Sequence, residues 1–407
     1  MTKRSNLIWL ALGAFAIGTE GYMVAGLLPT LATDLHVSLS AAGQLIAVFA
    51  LAYAIGSPLL AVATGRMERR RLLLGSLAAF GALNVVAALA HTYATLLLAR
   101  VGLALAAGTF VPAASAYAVA VMPAAQRGRA LSIIFAGMTV AMMVGVPLGV
   151  VLGGHFGWRF TFVGVAFLAV LAWTGLALTL ERVPSSVAIP LRERFAIARR
   201  PDVFQVLVNT LLALTGVYAI FSFLAPLLAR TAGLGSNGVA ALLFVFGAAA
   251  AIGNLVGGRI VDRIGPKRVL VVIFGALTLV FAALSLVGES MPAAEARWLV
   301  IPILGLWGLL GASFPSAQQV RMASLAPRLA PVTLALNASA IYLGASAGAF
   351  IGSLVIAYRS PVQLGWVGAA FELLALTQLI GSRRHVAARD ETDLTPSPEI
   401  QPVIEPI

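Results

Sequence analysis

The sequence GSPLLAVATGRMERRR, from Gly56 to Arg71, recurs in altered form as GNLVGGRIVDRIGPKR, from Gly253 to Arg268. The two copies lie 197 positions apart, and in each an apolar segment ends in a basic turn that leads directly into a new apolar segment. This repeat predicts two related halves, each a bundle of membrane helices. Parallel repeats of this kind are common in secondary transporters, which bind their substrate between the halves.

The composition is that of a membrane protein. Hydrophobic residues make up 60% of the chain and charged residues 10%, whereas soluble domains carry about 25% charged residues. A membrane helix needs about 20 apolar residues. Twelve such segments occur, which we number spans 1 to 12: residues 7–31, 40–64, 72–90, 94–121, 131–153, 161–180, 203–228, 237–261, 269–287, 298–320, 332–357 and 363–382.

The spans predict an all-α membrane protein of two pseudo-symmetric six-helix bundles. We expect an N-terminal bundle over residues 1–180, a cytoplasmic linker over 181–202 with a short interfacial helix, and a C-terminal bundle over 203–382. The tail, residues 383–407, combines prolines with acidic residues and has no apolar period, so we expect it to be disordered and cytoplasmic.

Basic residues predict the orientation of the spans. If both termini share one side, 22 of the 27 lysines and arginines fall on that side, including Arg321, and four on the other. By the positive-inside rule both termini are cytoplasmic. The formal charge of +12 therefore reflects topology, with the basic turns near anionic lipid headgroups, and we expect no nucleic-acid partner.

Residues for enzyme chemistry or for a cofactor are missing from the sequence pattern. The chain has no cysteine, and its four histidines fall in predicted loops and the tail without metal-ligand spacing. There is no candidate catalytic cluster and no nucleotide-binding loop, so ATP is not the expected energy source. We predict neither an enzyme nor a metal or cofactor site.

Apart from Arg259, which begins the basic turn at the end of span 8, three charged residues lie inside the predicted spans: Glu20 in span 1, Arg100 in span 4 and Glu372 in span 12. Charges inside a membrane are costly and by default mark a function. At 1.5 Å per residue, Glu20 and Arg100 fall at similar depth, so they are candidates for a facing pair that couples protons or substrate; the alternative is a static salt bridge. For Glu372 we expect a structural role, hydrogen-bonded to a neighbouring helix.

Small residues recur in span 5, which reads GMTVAMMVGVPLGVVLGG. Gly145, Gly149 and Gly153 are four residues apart and share one helix face, as in close helix packing. Pro147 lies between them and is expected to bend the helix.

Together these motifs resemble the major facilitator superfamily, in particular the twelve-span drug:proton antiporters of the arabinose-efflux-permease and chloramphenicol-resistance group. The carrying stretches are GTEGYMVAGLLPTLATDL with Glu20, LLLARVGLALAAG with Arg100, GVPLGVVLGG in span 5 and VDRIGPKR after span 8. The resemblance implies proton coupling through Glu20 and Arg100, an antiporter motif formed by Gly145, Pro147, Gly149 and Gly153, and a latch between the cytoplasmic ends of the halves. The latch residues would be Arg66, Arg70, Asp262, Arg263 and Arg268.

The first-half loop departs from the family pattern. Gly65 stands where the family has aspartate and Glu68 where it has glycine, whereas the second half has Asp262 and Gly265. Glu68 is a candidate substitute for the missing acid. The alternative is that the arginines of this loop serve topology alone.

Spans 1, 4, 7 and 10 line the cavity if the resemblance holds. Aromatic residues and methionines suit adaptable apolar binding, and Glu20 favours neutral or weakly cationic amphipathic substrates over polyanions. The candidate cavity residues are Met23, Thr109, Met138, Met142, Asn209, Tyr218, Phe221, Trp307, Phe314, Gln318 and Gln319.

The sequence therefore predicts a secondary transporter of a bacterial inner membrane. We expect a monomer that exports a drug-, sugar- or nucleoside-like small molecule by proton antiport with alternating access. Two alternatives stay open: a proton-coupled uptake symporter for a sugar or nucleoside, and a non-transporting membrane sensor or scaffold.

Overall fold

The computed structural model describes residues 3–123, 126–183, 191–325 and 330–390. Twelve helices in this part of the chain are long and apolar enough to cross a membrane, and no strand occurs in it, which confirms the predicted fold class. The first-half helices are Lys3–Asp34, Leu39–Ala63, Arg69–Ala88, Tyr93–Val121, Arg127–Val140 with Val146–Phe156, and Trp158–Thr179. Those of the second half are Pro201–Phe221 with Leu224–Ala232, Ser236–Ile264, Pro266–Ser290, Ala293–Gly311 with Phe314–Leu325, Ala330–Tyr358, and Leu364–Asp390.

Each half is a bundle, and three pairs of spans join the halves. Span 1 packs on the end of span 7, span 2 on span 11, and span 5 on span 8. We call the end of the molecule where span 1 starts and span 12 ends the basic end, and the other the opposite end. The hydrogen bond from Gln44 to Ser353 and the close approach of Gly154 to Ser236 join the halves toward the opposite end.

The repeated stretch forms the same kind of helix contact in both halves. Gly56 lies against Leu105 of span 4, and Gly253 lies against the backbone of Leu309 in span 10. Ser57 of span 2 donates a hydrogen bond to the Gly108 carbonyl at 2.7 Å, and Ser313 of span 10 donates one to the Gly253 carbonyl at 3.1 Å. The repeat is thus conserved in its packing: in each half a small residue lets two helices approach closely.

Spans 7 and 10 are broken, although the sequence analysis treated each as one apolar segment. Span 7 is interrupted after Phe221 and span 10 after Gly311. Pro226 and Pro315 follow within a few residues. A proline cannot donate a hydrogen bond and clashes with the carbonyl four residues before it, here those of Ser222 and Gly311, so the helices stop there.

Span 5 contains a π turn, Ala141–Gly145, directly before its continuation. The Val146 N–H donates to the Ala141 carbonyl, and Pro147 follows in the next helical segment. The predicted distortion of this span therefore takes the form of a wider helical turn, because Pro147 leaves a backbone carbonyl without its usual donor.

The turns at the two copies of the repeat differ in their backbone. Gly265, between spans 8 and 9, has φ +84°, a region that side chains disfavour. Its counterpart Glu68 has φ −57° and precedes span 3 as its N-cap residue. The first half therefore tolerates glutamate where the second half needs glycine.

The structure contains the expected linker helix and moves the end of span 12. The linker contains a helix, Leu191–Ala198, which packs against spans 2, 7 and 11; residues 184–190 lie outside the described part. The helix of span 12 continues to Asp390, so the predicted tail does not begin at residue 383. Its remainder, residues 391–407, also lies outside the described residues.

Candidate functional site

Glu20 and Arg100 form an ion pair in the interior of the first half. Both side chains are completely buried, and Nη1 of Arg100 donates to Oε1 of Glu20. Span 1 and span 4 run through the same bundle in opposite directions, and residue spacing along each helix brings the two residues to the same depth. The structure thus places these two predicted site residues in direct contact.

Span 2 completes the surroundings of the pair. Arg100 donates from Nε to the Leu45 carbonyl at 3.2 Å, and its guanidinium carbon lies 4.1 Å from the centroid of the Phe49 ring. Glu20 Oε2 and Arg100 Nη2 have no hydrogen-bond partner among the described residues. Because unsatisfied polar atoms are costly in a buried site, the pair has capacity for one further polar group.

A cluster of tyrosines lies near the ion pair, where the halves meet. Tyr53 is one helical turn from Phe49, at 6.5 Å between ring centroids, and stacks on Tyr342 of span 11 at 3.6 Å. Tyr22 of span 1 meets Phe221 of span 7 edge to face at 6.1 Å, beside Tyr218. Sequence reasoning named Tyr218 and Phe221 but missed the other three tyrosines. Each missed tyrosine lies in an apolar span, and only its hydroxyl group distinguishes it from the packing residues around it.

Several predicted cavity residues are instead buried within one half. Met23 has no exposed surface and packs against Gly149 of span 5. Trp307 is 1% exposed and packs edge-on against Phe246 and Phe281 of its own half. These placements correct the prediction, because the bundle core buries large apolar side chains more favourably than a polar cavity does.

Met138 and Met142 of span 5 are half-buried and face different neighbours. Met138 lies against Gly18 of span 1, whereas the backbone of Met142 lies against Gly247 of span 8. Met142 is therefore at the contact between the halves. Thr109 is half-buried, Gln319 is exposed, and Phe314 is buried beside Phe274.

Asn209 and Gln318, also predicted as cavity residues, belong to a buried polar network of the second half. Gln318 Nε2 donates to Thr210 Oγ1 at 2.8 Å and lies 3.3 Å from Asn209 Oδ1. Asn209 Nδ2 donates to the Ala375 carbonyl and to Gln378 Oε1, both at 2.9 Å. These amides satisfy one another inside the bundle, which a buried polar group requires.

Arg321 joins this network, which corrects its assignment to a loop. It lies in the helix Phe314–Leu325, is 8% exposed and donates to Gln318 Oε1 at 3.0 Å. Hydropathy placed the end of span 10 at residue 320, directly before Arg321, whereas the helix continues to Leu325.

Glu372 is completely buried, and neither of its carboxyl oxygens has a hydrogen-bond partner among the described residues. The expected hydrogen bond to a neighbouring helix is therefore wrong. Span 12 packs against spans 7 and 9, which present apolar side chains over most of their length.

The glycines of span 5 pack against span 1 with a constant offset of 126 residues. Gly145 lies against Thr19, Gly149 against Met23, and Gly153 against Leu27. The two helices run in the same direction, so residues four apart on one meet residues four apart on the other. Small residues here allow the close backbone approach that stabilises helix pairs in membranes.

Most latch residues are exposed in this structure. Arg66, Asp262, Arg263 and Arg268 are exposed, and within the described part of the chain none of them forms an ion pair. Arg70 donates to the Ala177 carbonyl at 2.8 Å.

Glu68, the candidate substitute acid, is ion-paired. It lies 3.2 Å from Arg71 and 3.9 Å from Arg182, which follows span 6. The acid of the first half therefore contacts its own half.

Known proteins resemble this chain over nearly its whole length. A profile of the Major Facilitator Superfamily matches residues 10–349. Two transporters of Bacillus subtilis, described as uncharacterized MFS-type transporters YtbD and YbcL, are each 31% identical; the alignments cover 95% and 92% of this chain and 97% and 95% of theirs.

Solved transporters share the fold. A bacterial homologue of the lysosomal transporter Spinster, in an inward-facing conformation, superposes with a TM-score of 0.71 at 19% identity over 98% of this chain and all of its own. The nucleoside transporter NupG gives 0.75 at 14% identity over 93% of this chain and 99% of its own. A D-xylose–proton symporter gives 0.72 at 16% identity over 93% of this chain and 97% of its own. This chain is a multi-pass membrane protein of transporter architecture, and it belongs to the Major Facilitator Superfamily.

Proposed function

We propose that the protein exports a small molecule in exchange for protons, by alternating access, across a bacterial inner membrane with both termini in the cytoplasm. The observation that carries this proposal is the buried pair of Glu20 and Arg100, with Glu20 Oε2 and Arg100 Nη2 unpartnered. A buried salt bridge that only held two helices together would be most stable with all of its polar atoms hydrogen-bonded, whereas here two of them have no partner among the described residues.

Protonation of Glu20 changes the energetics of this site. A neutral carboxyl no longer balances the guanidinium, and an uncompensated buried charge is unfavourable. Arg100 then gains from a conformation that brings it water or a new partner. Proton binding at Glu20 thereby favours one conformation over the other, which is the differential interaction that coupling requires.

The substrate site lies between the halves, beside the tyrosine cluster. Tyr53 and Tyr342 face each other across this contact, next to Phe49 and the ion pair. Aromatic faces bind apolar and cationic groups, so we infer a neutral or weakly cationic amphipathic substrate, bound by a monomer.

Export is favoured over uptake by the span 5 motif, which packs on span 1, the helix that carries Glu20. The second candidate is uptake by proton symport. It is favoured by the D-xylose–proton symporter, which shares the fold. The two candidates differ in the direction of substrate flux relative to protons.

The test uses inside-out membrane vesicles from cells that overproduce the protein, energised to an acidic interior. Drugs, pentoses and nucleosides are tested in turn, each once added outside the vesicles and once loaded inside them, and proton release is followed with a pH-sensitive dye. An exporter releases protons from the vesicles and accumulates the substrate; a symporter instead moves both out of the vesicles together.

Glu20→Gln keeps the side-chain volume and removes the charge, so it should abolish coupled proton flux. The exposed Glu295 supplies the matched control, Glu295→Gln, which should transport normally. Normal coupled export by Glu20→Gln would disprove the assigned role. Absence of flux for the whole panel in wild-type vesicles would favour the sensor or scaffold.

A further inference from the structure

We propose that Glu372 is a second proton-binding site, which carries a proton in the conformation described above and releases it when span 7 moves. The inference deepens the proposed transport function and rests on it. It adds a proton site in the second half, away from Glu20 and Arg100.

The carboxyl of Glu372 is isolated from other polar groups among the described residues. Glu372 has no exposed surface, and both oxygens lack a hydrogen-bond partner among the described residues. An ionised carboxylate buried without partners is among the costliest groups in a protein, and more so within a bilayer. In this conformation the carboxyl is therefore neutral and holds its proton.

The surrounding helices supply no charge to balance it. The ionisable residues of span 7 are Asp202, at the basic end, Tyr218, whose ring packs toward Phe221, and Arg230, which is exposed at the opposite end. In span 9 the charged residues lie at the helix ends: Lys267 and Arg268 at its start and Glu289 near its finish. Glu20, by contrast, has the Arg100 guanidinium beside it. Glu20 thus has a positive charge beside its carboxyl group, whereas Glu372 has none among the described residues.

Span 12 contacts span 7 beside Glu372. A side chain at Gly216 would meet the Gly368 carbonyl and Phe371 and would lie 3.6 Å from the Glu372 backbone nitrogen. The helices are therefore in close contact at this turn. The break of span 7 after Phe221 follows within two helical turns of Gly216. Transporters form their substrate and ion sites from discontinuous helices of this kind. Because span 7 contacts span 12 here, movement of span 7 changes the environment of Glu372 directly.

A series of polar groups leads from the neighbourhood of Glu372 toward the basic end. One helical turn from Glu372, the Ala375 carbonyl accepts from Asn209. Asn209 contacts Gln318 and Arg321, and Arg321 retains some exposed surface. When span 7 moves, water entering along these polar groups can take the proton from the carboxyl O–H. The resulting carboxylate would lie on the same side of the half as the Arg321 cation.

The sign of the pH effect follows by linkage. Contacts toward the opposite end join the halves in the described structure, so we assign it as the conformation with the basic ends apart. This conformation binds the proton of Glu372 more tightly than one in which the basic ends close. Raising the pH therefore favours closure of the basic ends, by up to about tenfold in the population ratio per pH unit for one proton. Glu372→Gln mimics the protonated acid permanently, so it should favour the conformation with the basic ends apart and remove the contribution of Glu372 to the pH response.

The test measures distances by spin labelling of the full-length chain, which has no native cysteine. Labels are attached through Ser132→Cys and Ile264→Cys, two exposed positions near the basic ends of spans 5 and 8. We expect the distance distribution to shift to shorter values with rising pH in the background chain and in Glu295→Gln. In Glu372→Gln the pH-dependent shift of the distance distribution should be smaller, because one titrating group is missing. In Glu20→Gln the part of that shift due to Glu372 should remain.

A pH response of Glu372→Gln that equals that of Glu295→Gln would overturn the proposal. Infrared spectroscopy gives a second readout that does not depend on motion. At neutral pH the protein should show the carbonyl band of a protonated carboxyl, absent in Glu372→Gln and present in Glu20→Gln; persistence of the band in Glu372→Gln would also overturn it. If Glu372→Gln fails to fold, Glu372→Asp should keep the band at a shifted position. Either failure leaves the vesicle test of Glu20 unaffected.

Discussion

The rings of Tyr53 and Tyr342 stack with centroids 3.6 Å apart and planes inclined by 17°, so that one aromatic contact joins the two halves at mid-span. Tyr53 also touches Phe49, the ring beneath the Arg100 guanidinium. Phe49 therefore touches both Tyr53, which forms the contact between the halves, and Arg100 of the buried ion pair. Any movement that separates spans 2 and 11 also changes what surrounds Arg100.

We predict that Tyr342→Leu weakens the joining of the halves. An aromatic pair contributes about 0.5–1.5 kcal/mol beyond the area it buries, which corresponds to about a two- to tenfold change in the ratio of conformations. Spin labels at the opposite end of the molecule should show a larger population with the halves apart. Tyr358 is 81% exposed in the same span, so Tyr358→Leu is the control. Equal distributions in both variants would contradict the prediction.

The ion pair predicts strong coupling between two substitutions. Arg100→Ala leaves Glu20 buried without its partner, which in buried pairs commonly costs about 3–5 kcal/mol. It should be inactive, and Arg100→Lys partly active at best, because lysine cannot contact Glu20 and the Leu45 carbonyl together. Combined with Glu20→Gln, the loss of stability in thermal unfolding should be much smaller than the sum of the single losses. Additive losses would show that the two side chains act independently.

The packing of span 5 on span 1 predicts a position-specific loss of stability. A side chain at Gly145 would collide with Thr19, whereas one at Gly164 meets no atom within 4 Å. Gly145→Leu should therefore destabilise the protein by about 1–3 kcal/mol, the usual cost of overpacking, and Gly164→Leu should not. Thermal unfolding in detergent measures both, and Thr19→Ala should restore part of the loss in Gly145→Leu. Equal melting temperatures would show that this contact is loose.

The latch prediction concerns the unequal loops of the two halves. Asp262 is exposed and unpaired within the described residues, as expected for a latch that engages only when the basic ends close. Asp262→Asn should disfavour closure and lower export, and Gly65→Asp should favour closure by adding the missing acid. Distances between labels at the basic ends of the halves measure both effects. If neither variant changes them, these loops serve topology and not gating.

The proposed orientation is tested with reporter fusions at two positions. Asp202 lies in the first turn of span 7, so the first junction is placed after Arg199, at the end of the linker helix. The second follows Arg383. Both reporters should be active on the cytoplasmic side, because most basic residues then face inward. A periplasmic signal from either fusion would refute the orientation.

Span number and fold class could be predicted from the sequence because their physical basis is local. A helix of about 20 apolar residues is required at each crossing, since backbone polar groups find no water in the bilayer. The pairing of Glu20 with Arg100 was also accessible, because helix rise converts residue number into depth. Depth alone left the alternatives open, since it does not give the rotation of each helix about its axis.

Helix rotation explains which predicted cavity residues were misplaced. Met23, Asn209, Trp307 and Gln318 lie in the expected spans, but their side chains point into the bundles. The breaks in spans 7 and 10 could have been predicted from Pro226 and Pro315, but an average of hydropathy over a whole span does not register a single proline. Arg321 also contacts Asn209, which lies in a helix far away in the chain, and no local pattern contains that contact.

The amino-acid sequence by itself thus determined that this protein crosses a membrane twelve times in two related halves, because hydrophobic length, charge placement and the internal repeat are properties of contiguous residues. Only the tertiary structure decided which side chains meet: Arg100 with Glu20, Tyr53 with Tyr342, and none among the described residues with the Glu372 carboxyl. Those contacts depend on how each helix is rotated and where it is broken, and both are set by packing between distant segments.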